Sequence, residues 1–446
     1  MYLGKEKPIE ATTTVSQADA PTLAQFLSAS KERYLRDIRS TPSKGGDWTV
    51  VMGNEAGDLD SVASSIAYAW LLSEVHNKPS IPLLQLERDD LDLRAENTHA
   101  LSLAGITQPK EQLLFLTDLA PFSLTAPTAA FPSHTFALVD HNTLASAYTF
   151  QNPLATVTDI LDHHADEGNH LNASPRIIIP SGSCTSHVSA LFPPEIPATL
   201  ATLLLTGILI DTNGLKPGGK ALDIDHTAAA FLAPHSTLAS QLSLASISSP
   251  RADAFTQPED LYNTTAIKDL THRLKNLKGS IDHLSARDLL RRDYKEYVLD
   301  VPGAGSIRVG LASVPVRLRE WKLQDAVGAW MEERELQVLG VLTSFHGGSK
   351  GKKKFKREMA WVVYDGRKKD KEEQILLDVP ALAKKLFKGL ERSEELKVKL
   401  KKKKMHDMEK GGRLPDGARS RTYDQGNVNA TRKVTAPVMK TILEAA

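Results

Sequence analysis

The stretch Gly53–Ser61 constrains the fold of this chain more than any other, because its polar residues lie between two apolar segments. Trp48–Met52, before it, is short and rich in β-branched residues, which predicts a buried strand. Residues 62–72, after it, are apolar at helical spacing and predict a helix. Asp58 and Asp60 then belong to a strand-to-helix turn, the position where parallel sheets build their sites.

These two aspartates have two explanations. An aspartate at a helix N-terminus can simply accept hydrogen bonds from free backbone N–H groups. Two carboxylates one residue apart can also bind a hard cation. Asp58 and Asp60 fit either explanation, so the rest of the chain has to decide.

Further polar clusters in the first half also follow apolar runs directly. They are Asp140-His141-Asn142, Asp162-His163-His164 and Asp211. Each could cap a turn or helix, or be a satisfied buried histidine. In a parallel sheet, however, they would meet at one edge, and crowded carboxylates resist ionising together without a cation. Carboxylates with imidazole and no thiolate suit two divalent ions, Mg²⁺ or Mn²⁺, with Co²⁺ and Zn²⁺ as further candidates.

The size and composition of the chain are those of an ordinary globular protein. The 446 residues predict two or three domains, and a net charge of +1 leaves no overall electrostatic bias. The single cysteine, Cys184, excludes an intramolecular disulfide and a cysteine-based metal site. The N-terminus has no apolar signal core and no stretch is apolar enough to span a membrane, so we expect a cytoplasmic protein.

The order of predicted elements gives an α/β fold in two parts. Strands and helices alternate in the first half, which predicts a parallel sheet covered by helices on both faces. The second half predicts a smaller α+β domain, with helices at 261–277 and 285–297. The predicted division is a tail and helix at 1–44, a first domain at 45–235, a linker at 236–262 and a second domain at 263–446.

Two lysine-rich segments, 350–357 and 397–404, lie within the second part. Taken singly, each is typical of a solvated loop or helix end. Together they are also candidates to line a channel for a polyanion.

Four motifs in order resemble the DHH phosphoesterase superfamily across residues 45–235. Asp162-His163-His164 matches its signature, and Gly53–Ser61, Leu138–Asn142 and Gly207–Asn213 resemble its first, second and fourth motifs. The resemblance implies that the first part is a DHH domain, that the second is a DHHA2 domain, and that the active site lies in the cleft between them.

The second part resembles the branch that contains manganese-dependent pyrophosphatases, prune proteins and fungal exopolyphosphatases. Arg292-Asp-Tyr-Lys295 and Thr431–Pro437 fit its two basic motifs, whereas His346-Gly-Gly348 is a poor match to the glycine-rich motif of the nuclease branch. Asn54 stands where the pyrophosphatases have a histidine, which favours the cytosolic fungal exopolyphosphatases. A carboxamide in place of imidazole makes the site harder and favours Mg²⁺ over Mn²⁺.

The resemblance also implies roles for individual residues. One cation would be held by Asp58 and Asp140 with Asn54 nearby. The second would be held by Asp60, Asp140, His163 and Asp211, with Asp140 bridging. His164 would contact the terminal phosphate or the leaving oxygen, and His141 would either orient Asp140 or be a buried structural histidine. Lys295, Arg432 and Lys433, assisted by Arg292, would hold phosphate oxygens, and Gly182 and Ser183 are weaker candidates for the same task.

The implied activity is that of an exopolyphosphatase, in which a hydroxide activated by two cations removes the terminal phosphate of inorganic polyphosphate. The alternatives are an inorganic pyrophosphatase, a prune-like enzyme acting on short chains or nucleoside phosphates, a polyphosphate-binding interaction protein, and a DHH nuclease. We expect polyphosphate as the substrate, no membrane, no specific nucleic acid and a monomer.

Overall fold

The computed structural model describes residues 21–40, 42–124, 127–241, 258–282, 284–318, 324–347, 354–366, 377–401 and 414–445. Within these ranges the chain forms two sheets, one in each half. The predicted architecture, a helix-covered parallel sheet followed by an α+β domain, is confirmed. Over the same ranges, none of the helices has the length and apolar character needed to cross a membrane.

The first sheet is entirely parallel, with the strand order β3-β2-β1-β4-β5-β6. Its strands are β1 (Thr49–Met52), β2 (Ser80–Leu84), β3 (Leu114–Phe115), β4 (Thr135–Val139), β5 (Thr156–Asp162) and β6 (Arg176–Ile178). The helices are α1 (Leu23–Ser40), α2 (Leu59–Trp70), α3 (Ala95–Leu103), α4 (Pro109–Gln112), α5 (Ser146–Thr149), α6 (Cys184–Ser189), α7 (Ala198–Asp211) and α8 (Asp223–His235). Strands β1, β4 and β5 are neighbours, so the turns that follow them share one edge.

Both faces of this sheet are buried because successive strand residues point to opposite sides. Val51 of β1 packs in the cluster that contains the apolar faces of α2 and α7. Its neighbours Val50 and Met52 pack on the other side, with Tyr34 from α1. Burial on both faces explains why these strands are continuous apolar runs, as is usual for parallel sheets.

The second sheet is mixed, with the order β12-β13-β11-β9-β8-β7, and β10 pairs with β11 off this path. Only β8 and β9 are parallel among its described pairs. Its strands are β7 (Tyr294–Val301), β8 (Gly305–Val314), β9 (Val338–Thr343), β10 (Phe345–Gly347), β11 (Lys354–Val363), β12 (Val398–Leu400) and β13 (Arg419–Gln425). The helices of this half are α9 (Pro258–Asn263), α10 (Thr265–Gly279), α11 (Ala286–Arg291), α12 (Gln324–Glu333), α13 (Val379–Arg392) and α14 (Arg432–Glu444).

The helix predicted at 285–297 is wrong beyond Arg291. The helix ends there, and Tyr294–Val301 pairs antiparallel with β8 along its whole length. The strand forms a hairpin with β8 and buries Leu299 and Val301 in the second core, and the Tyr and Val residues of the segment favour this strand conformation.

Helix α10 follows the linker region but packs into the first half. Its Ile267 and Leu274 belong to the same apolar cluster as α2 and α7. The last turn of α10 therefore lies at the boundary between the two halves, close to the end of α7.

Candidate metal centre

Three of the predicted ligands, Asp60, Asp140 and His163, converge at the edge formed by the ends of β1, β4 and β5. The Nε2 atom of His163 lies 3.2 Å from Asp140 Oδ1 and 3.6 Å from Asp60 Oδ2. Among the described residues, Asp140, His163 and His164 offer ligand atoms that all lie within 4.8 Å of one another. The adjacency of three parallel strands thus brings together residues that are about a hundred positions apart in the chain.

The two aspartates of the turn after β1, Asp58 and Asp60, make different contacts. Asp58 caps α2, because its Oδ1 accepts a hydrogen bond from the backbone N–H of Ser61 at 3.2 Å. Asp60 is only 2 % exposed and faces the start of α6, where Ser183 Oγ and two backbone N–H groups donate to it at 2.6–3.0 Å. The turn is tight at Gly53, where a Cβ atom would lie 2.5 Å from the Cβ of Ser61.

Asp140 occupies the centre of the cluster and is held in an unusual backbone conformation. Its φ is +61°, in the left-handed region that costs energy for residues other than glycine. Its Oδ2 accepts from Ser61 Oγ at 2.5 Å and from Asn54 Nδ2 at 2.6 Å. The oxygen of the Asn54 side chain accepts from the backbone N–H of Ala56 at 2.8 Å, so Asn54 contacts Asp140 through its amide group.

His163 is oriented as a metal ligand would be. Its Nδ1 donates to the carbonyl of Ser181 at 3.0 Å, which leaves Nε2 directed at Asp60 and Asp140. Burial alone would lower the pKa of His163, but the hydrogen bond to Asp140 and the charge of Asp60 outweigh it and raise the pKa to about 9. A cation bound at Nε2 would have to displace that proton.

Asp162 makes contacts with His164 that the sequence motifs did not predict. The side chain is fully buried, and its Oδ1 accepts from His164 Nδ1 at 2.7 Å and from two backbone N–H groups at 2.8 and 3.1 Å. Asn142 Nδ2 donates to the other oxygen at 2.6 Å. Asp162 therefore fixes the ring of His164 with Nε2 free; the available signal was its position directly before the two histidines.

The carboxylates repel one another strongly in the cation-free arrangement. Burial, together with neighbouring aspartates, raises the pKa of Asp60 and raises that of Asp140 well above its usual value. Burial also raises the pKa of Asp211 to about 7. Bound cations would relieve this repulsion, so the donor set fits divalent metal ions with oxygen and imidazole ligands.

Lys278, on the last turn of α10, also belongs to the site and was not predicted. Its Nζ lies 3.5 Å from Asp211 Oδ1. Burial would raise the pKa of Asp58, but the charges of Arg94 and Lys278 bring it below its usual value. Nothing in the spacing of α10 distinguishes this lysine from its neighbours, because only the packing of the helix brings it to Asp211.

The predicted phosphate-binding residues occupy different environments. Arg432 forms an ion pair with Asp293 at 2.9 Å, while Lys295 and Lys433 are exposed. Burial lowers the pKa of His141, which donates to the carbonyl of Val139 at 3.0 Å, and the charge of Lys295 across the cleft lowers it further.

Arg292 lies apart from these groups. It is 8 % exposed, and its guanidinium donates to the carbonyl of Lys278 and lies 3.6 Å from Glu96. These contacts leave it between the two halves and away from the predicted phosphate path.

The weaker phosphate candidates are already engaged in hydrogen bonds. The N–H of Gly182 donates to Asp225 at 2.7 Å, and the hydroxyl of Ser183 donates to Asp60. The lysine-rich segments are described only in part: residues 350–353 and 402–404 lie outside the described residues. Residues 354–357 belong to β11, and 397–401 include β12.

Comparison with known proteins matches both halves of the chain. A model of the DHH family, N-terminal domain, matches residues 48–208, and a model of the DHHA2 domain matches residues 272–442. A "Putative exopolyphosphatase" of Schizosaccharomyces pombe is 31% identical over 341 residues, which are 72% of this chain and 80% of that protein.

Two other relatives align over shorter lengths. "Exopolyphosphatase PRUNE1" of Mus musculus is 29% identical over 193 residues, 41% of each protein. A "Probable manganese-dependent inorganic pyrophosphatase" of Streptococcus agalactiae is 30% identical over 191 residues, 39% of this chain and 52% of that protein.

Proposed function

The chain belongs to the DHH family and carries the DHHA2 domain of one of its branches, and we propose that it is a metal-dependent exopolyphosphatase. The family assignment made from the sequence motifs is confirmed by the matched models. The observation that carries the proposal is the convergence of Asp60, Asp140 and His163 at one sheet edge, opposite the cations of the second half. A cluster of this kind suits phosphoanhydride hydrolysis, in which positive charge has to face a highly anionic substrate.

Two divalent cations would be held by this wall of the cleft. Asp140 would bridge them, with Asp58 on one side, where Asn54 lies nearby, and Asp60, His163 and Asp211 on the other. When bound, the cations would neutralise phosphate oxygens and activate the attacking water. Mg²⁺ and Mn²⁺ are the ions that the ligand chemistry favours, with Co²⁺ as a further candidate.

His164 would act on the substrate directly. Asp162 holds its Nδ1–H at 2.7 Å, so its Nε2 is available to donate a proton to the oxygen of the leaving chain. The hydrogen bond to Asp162 also fixes the direction in which that nitrogen points.

The second half would hold the shortened chain. Lys295, Arg432 and Lys433 would be its phosphate-binding cations, and Arg432 already has Asp293 as an anionic partner that a phosphate could replace. Arg292 is not part of this proposed set, because its guanidinium is engaged with Glu96 and the carbonyl of Lys278.

Phosphate release from pyrophosphate, tripolyphosphate and long-chain polyphosphate, each with Mg²⁺, Mn²⁺ or Co²⁺, tests the proposal. We expect cation-dependent release that is faster from tripolyphosphate and long chains than from pyrophosphate. Preference for pyrophosphate would support the pyrophosphatase alternative, and preference for short chains or nucleoside phosphates would support a prune-like enzyme. Cleavage of short oligonucleotides would support a nuclease.

Asp140→Asn separates an enzyme from a polyphosphate-binding interaction protein. The substitution removes the bridging charge, so phosphate release should be abolished while polyphosphate binding by the second half persists. Asp166→Asn is a matched control, because Asp166 pairs with Arg176 in the same half without contacting the cluster. A cytoplasmic location and a monomeric state stay predictions.

A further inference from the structure

The packing of α10 places the positively charged side chain of Lys278 beside the acidic cluster. It comes from α10, outside all of the motifs, and its Nζ lies 3.5 Å from Asp211 Oδ1. Asp211 is a proposed cation ligand at the end of α7. The two side chains meet because α10 packs against α7 through Ile267 and Leu274.

The backbone of Lys278 is fixed rather than free. Its carbonyl accepts from Nη2 of the buried Arg292, whose guanidinium also lies 3.6 Å from Glu96 on α3. Arg94 extends this link: its Nη2 donates to the carbonyl of Ala56 at 2.7 Å and to that of Arg292 at 2.9 Å. These hydrogen bonds connect the backbone of Lys278 to the turn after β1 and to the start of the second half.

The side chain, in contrast, is partly open to solvent. The Lys278 side chain is 41% exposed and that of Asp211 is 22% exposed, so the ammonium can leave the carboxylate for solvent without losing its backbone anchor. An ion pair with this exposure is weak enough to be exchanged for a divalent ion.

We propose that Lys278 is a resident counter-ion that competes with a divalent cation for Asp211 and thereby sets the affinity of the metal centre. In the cation-free protein its ammonium stabilises the carboxylates of Asp211 and Asp58. A cation that uses Asp211 has to displace the ammonium and also meets its repulsion. The lysine thus lowers cation affinity while protecting the fold before cations bind. This inference rests on the proposed cation site, and it adds a residue from outside the motifs.

Calorimetric titration of the cation-free protein with Mn²⁺ tests the inference without an activity assay. Lys278→Met and Lys278→Gln should each bind Mn²⁺ about fivefold more tightly than the wild type, because the competing ion pair is gone. Lys278→Arg keeps the charge and should remain within about twofold of the wild type. Lys275→Met is the matched control: Lys275 lies on the same turn of the helix and donates to Asn213 at 2.5 Å, without an ion pair to Asp211.

Thermal unfolding supplies a second readout. Without cations, Lys278→Met and Lys278→Gln should melt below the wild type, and with saturating Mn²⁺ the difference should vanish. Unchanged or weaker Mn²⁺ binding in both variants overturns the inference alone, as does an equal gain in Lys275→Met. Absence of divalent-cation binding in the wild type overturns the proposed metal centre and this inference with it.

Discussion

Asp162→Asn is the substitution that tests the geometry of the site most directly. Asp162 Oδ1 accepts from His164 Nδ1 at 2.7 Å and from two backbone N–H groups, and Oδ2 accepts from Asn142 Nδ2 at 2.6 Å. An asparagine can keep the first three bonds through its oxygen, but its amide then faces the amide of Asn142, so two donors oppose each other. The bond to Asn142 is lost, and the charge that supports the His164 ring is lost with it.

Both losses have an expected size, one in the free energy of unfolding and one in kcat. Loss of a buried hydrogen bond to a charged group costs about 1.5–3 kcal/mol, which we expect as the decrease in the free energy of unfolding. General acid catalysis contributes about 10²–10⁴-fold, so a His164 ring without its carboxylate should lower kcat by about 10²-fold. KM should change much less, because the phosphate contacts proposed for Lys295 and Arg432 do not involve Asp162.

The assay is steady-state phosphate release from tripolyphosphate at saturating Mg²⁺, together with urea unfolding of the same samples. Asp166→Asn, four residues along, removes a carboxylate that pairs with Arg176 and should leave kcat unchanged. A kcat within about threefold of the wild type in folded Asp162→Asn would refute the role given to this carboxylate, since it would show that His164 needs no orienting partner or is not the acid.

The stability difference should also depend on pH. Burial would raise the pKa of Asp162, but the hydrogen bond and charge of His164 outweigh it and lower the pKa. A carboxyl group with a lowered folded pKa contributes stability above its unfolded pKa of about 3.9 and loses it as the pH falls through the folded value. The wild type should therefore lose its advantage over Asp162→Asn in acid.

Three further predictions concern the cation site and the path of the substrate. Asn54→His should strengthen dependence on Mn²⁺ relative to Mg²⁺, because imidazole is a softer ligand than a carboxamide; unchanged metal preference and substrate profile would show that position 54 does not select the ion. Lys354→Gln with Lys356→Gln, exposed at the start of β11, should raise KM for long polyphosphate much more than for tripolyphosphate, and equal effects on both substrates would exclude a channel role. Cation affinity should increase as the pH rises towards about 9, the raised pKa of His163, because the imidazolium must lose its proton to bind a metal; the proton released is measurable by calorimetry in buffers of different ionisation enthalpy. In the cation-free protein, by contrast, protonated His163 stabilises the fold. This contribution to the free energy of unfolding is fully present below the unfolded pKa of about 6.5 and is lost as the pH rises through about 9.

The first half was predictable from sequence because its rules are local and repeated. Apolar runs such as Thr135–Val139 and Thr156–Asp162 predict buried strands. In a parallel sheet, the polar residues at the carboxyl ends of those strands then lie at one edge. The convergence of Asp140 and His163 follows from that rule without knowledge of any distance. The carboxylate–imidazole chemistry of the cluster could likewise be inferred before its geometry.

The second half was less predictable because its elements depend on pairing between distant segments. Tyr294–Val301 mixes charged residues with Tyr, Val and Leu, and its ladder with β8 fixes it as a strand. Arg292 lies two residues before that strand and in a basic motif, yet its side chain turns back to Glu96. Which way a side chain points near an element boundary depends on the tertiary contacts, and motif matching carries no information about them.

Asn54 illustrates how residue type and residue role can separate. The motif resemblance predicts that it stands where pyrophosphatases have a histidine, and in the structure its amide donates to Asp140 at 2.6 Å while its oxygen accepts from the N–H of Ala56. A histidine in that position would have to make both bonds from one rigid ring, whose donor and acceptor nitrogens differ in spacing and direction from the amide nitrogen and oxygen of asparagine. The carboxamide therefore stabilises the ionised form of Asp140, the proposed bridging ligand, through its amide group. A site built this way loses one nitrogen ligand and gains a more firmly oriented carboxylate, which is the direction of change that suits a hard ion such as Mg²⁺.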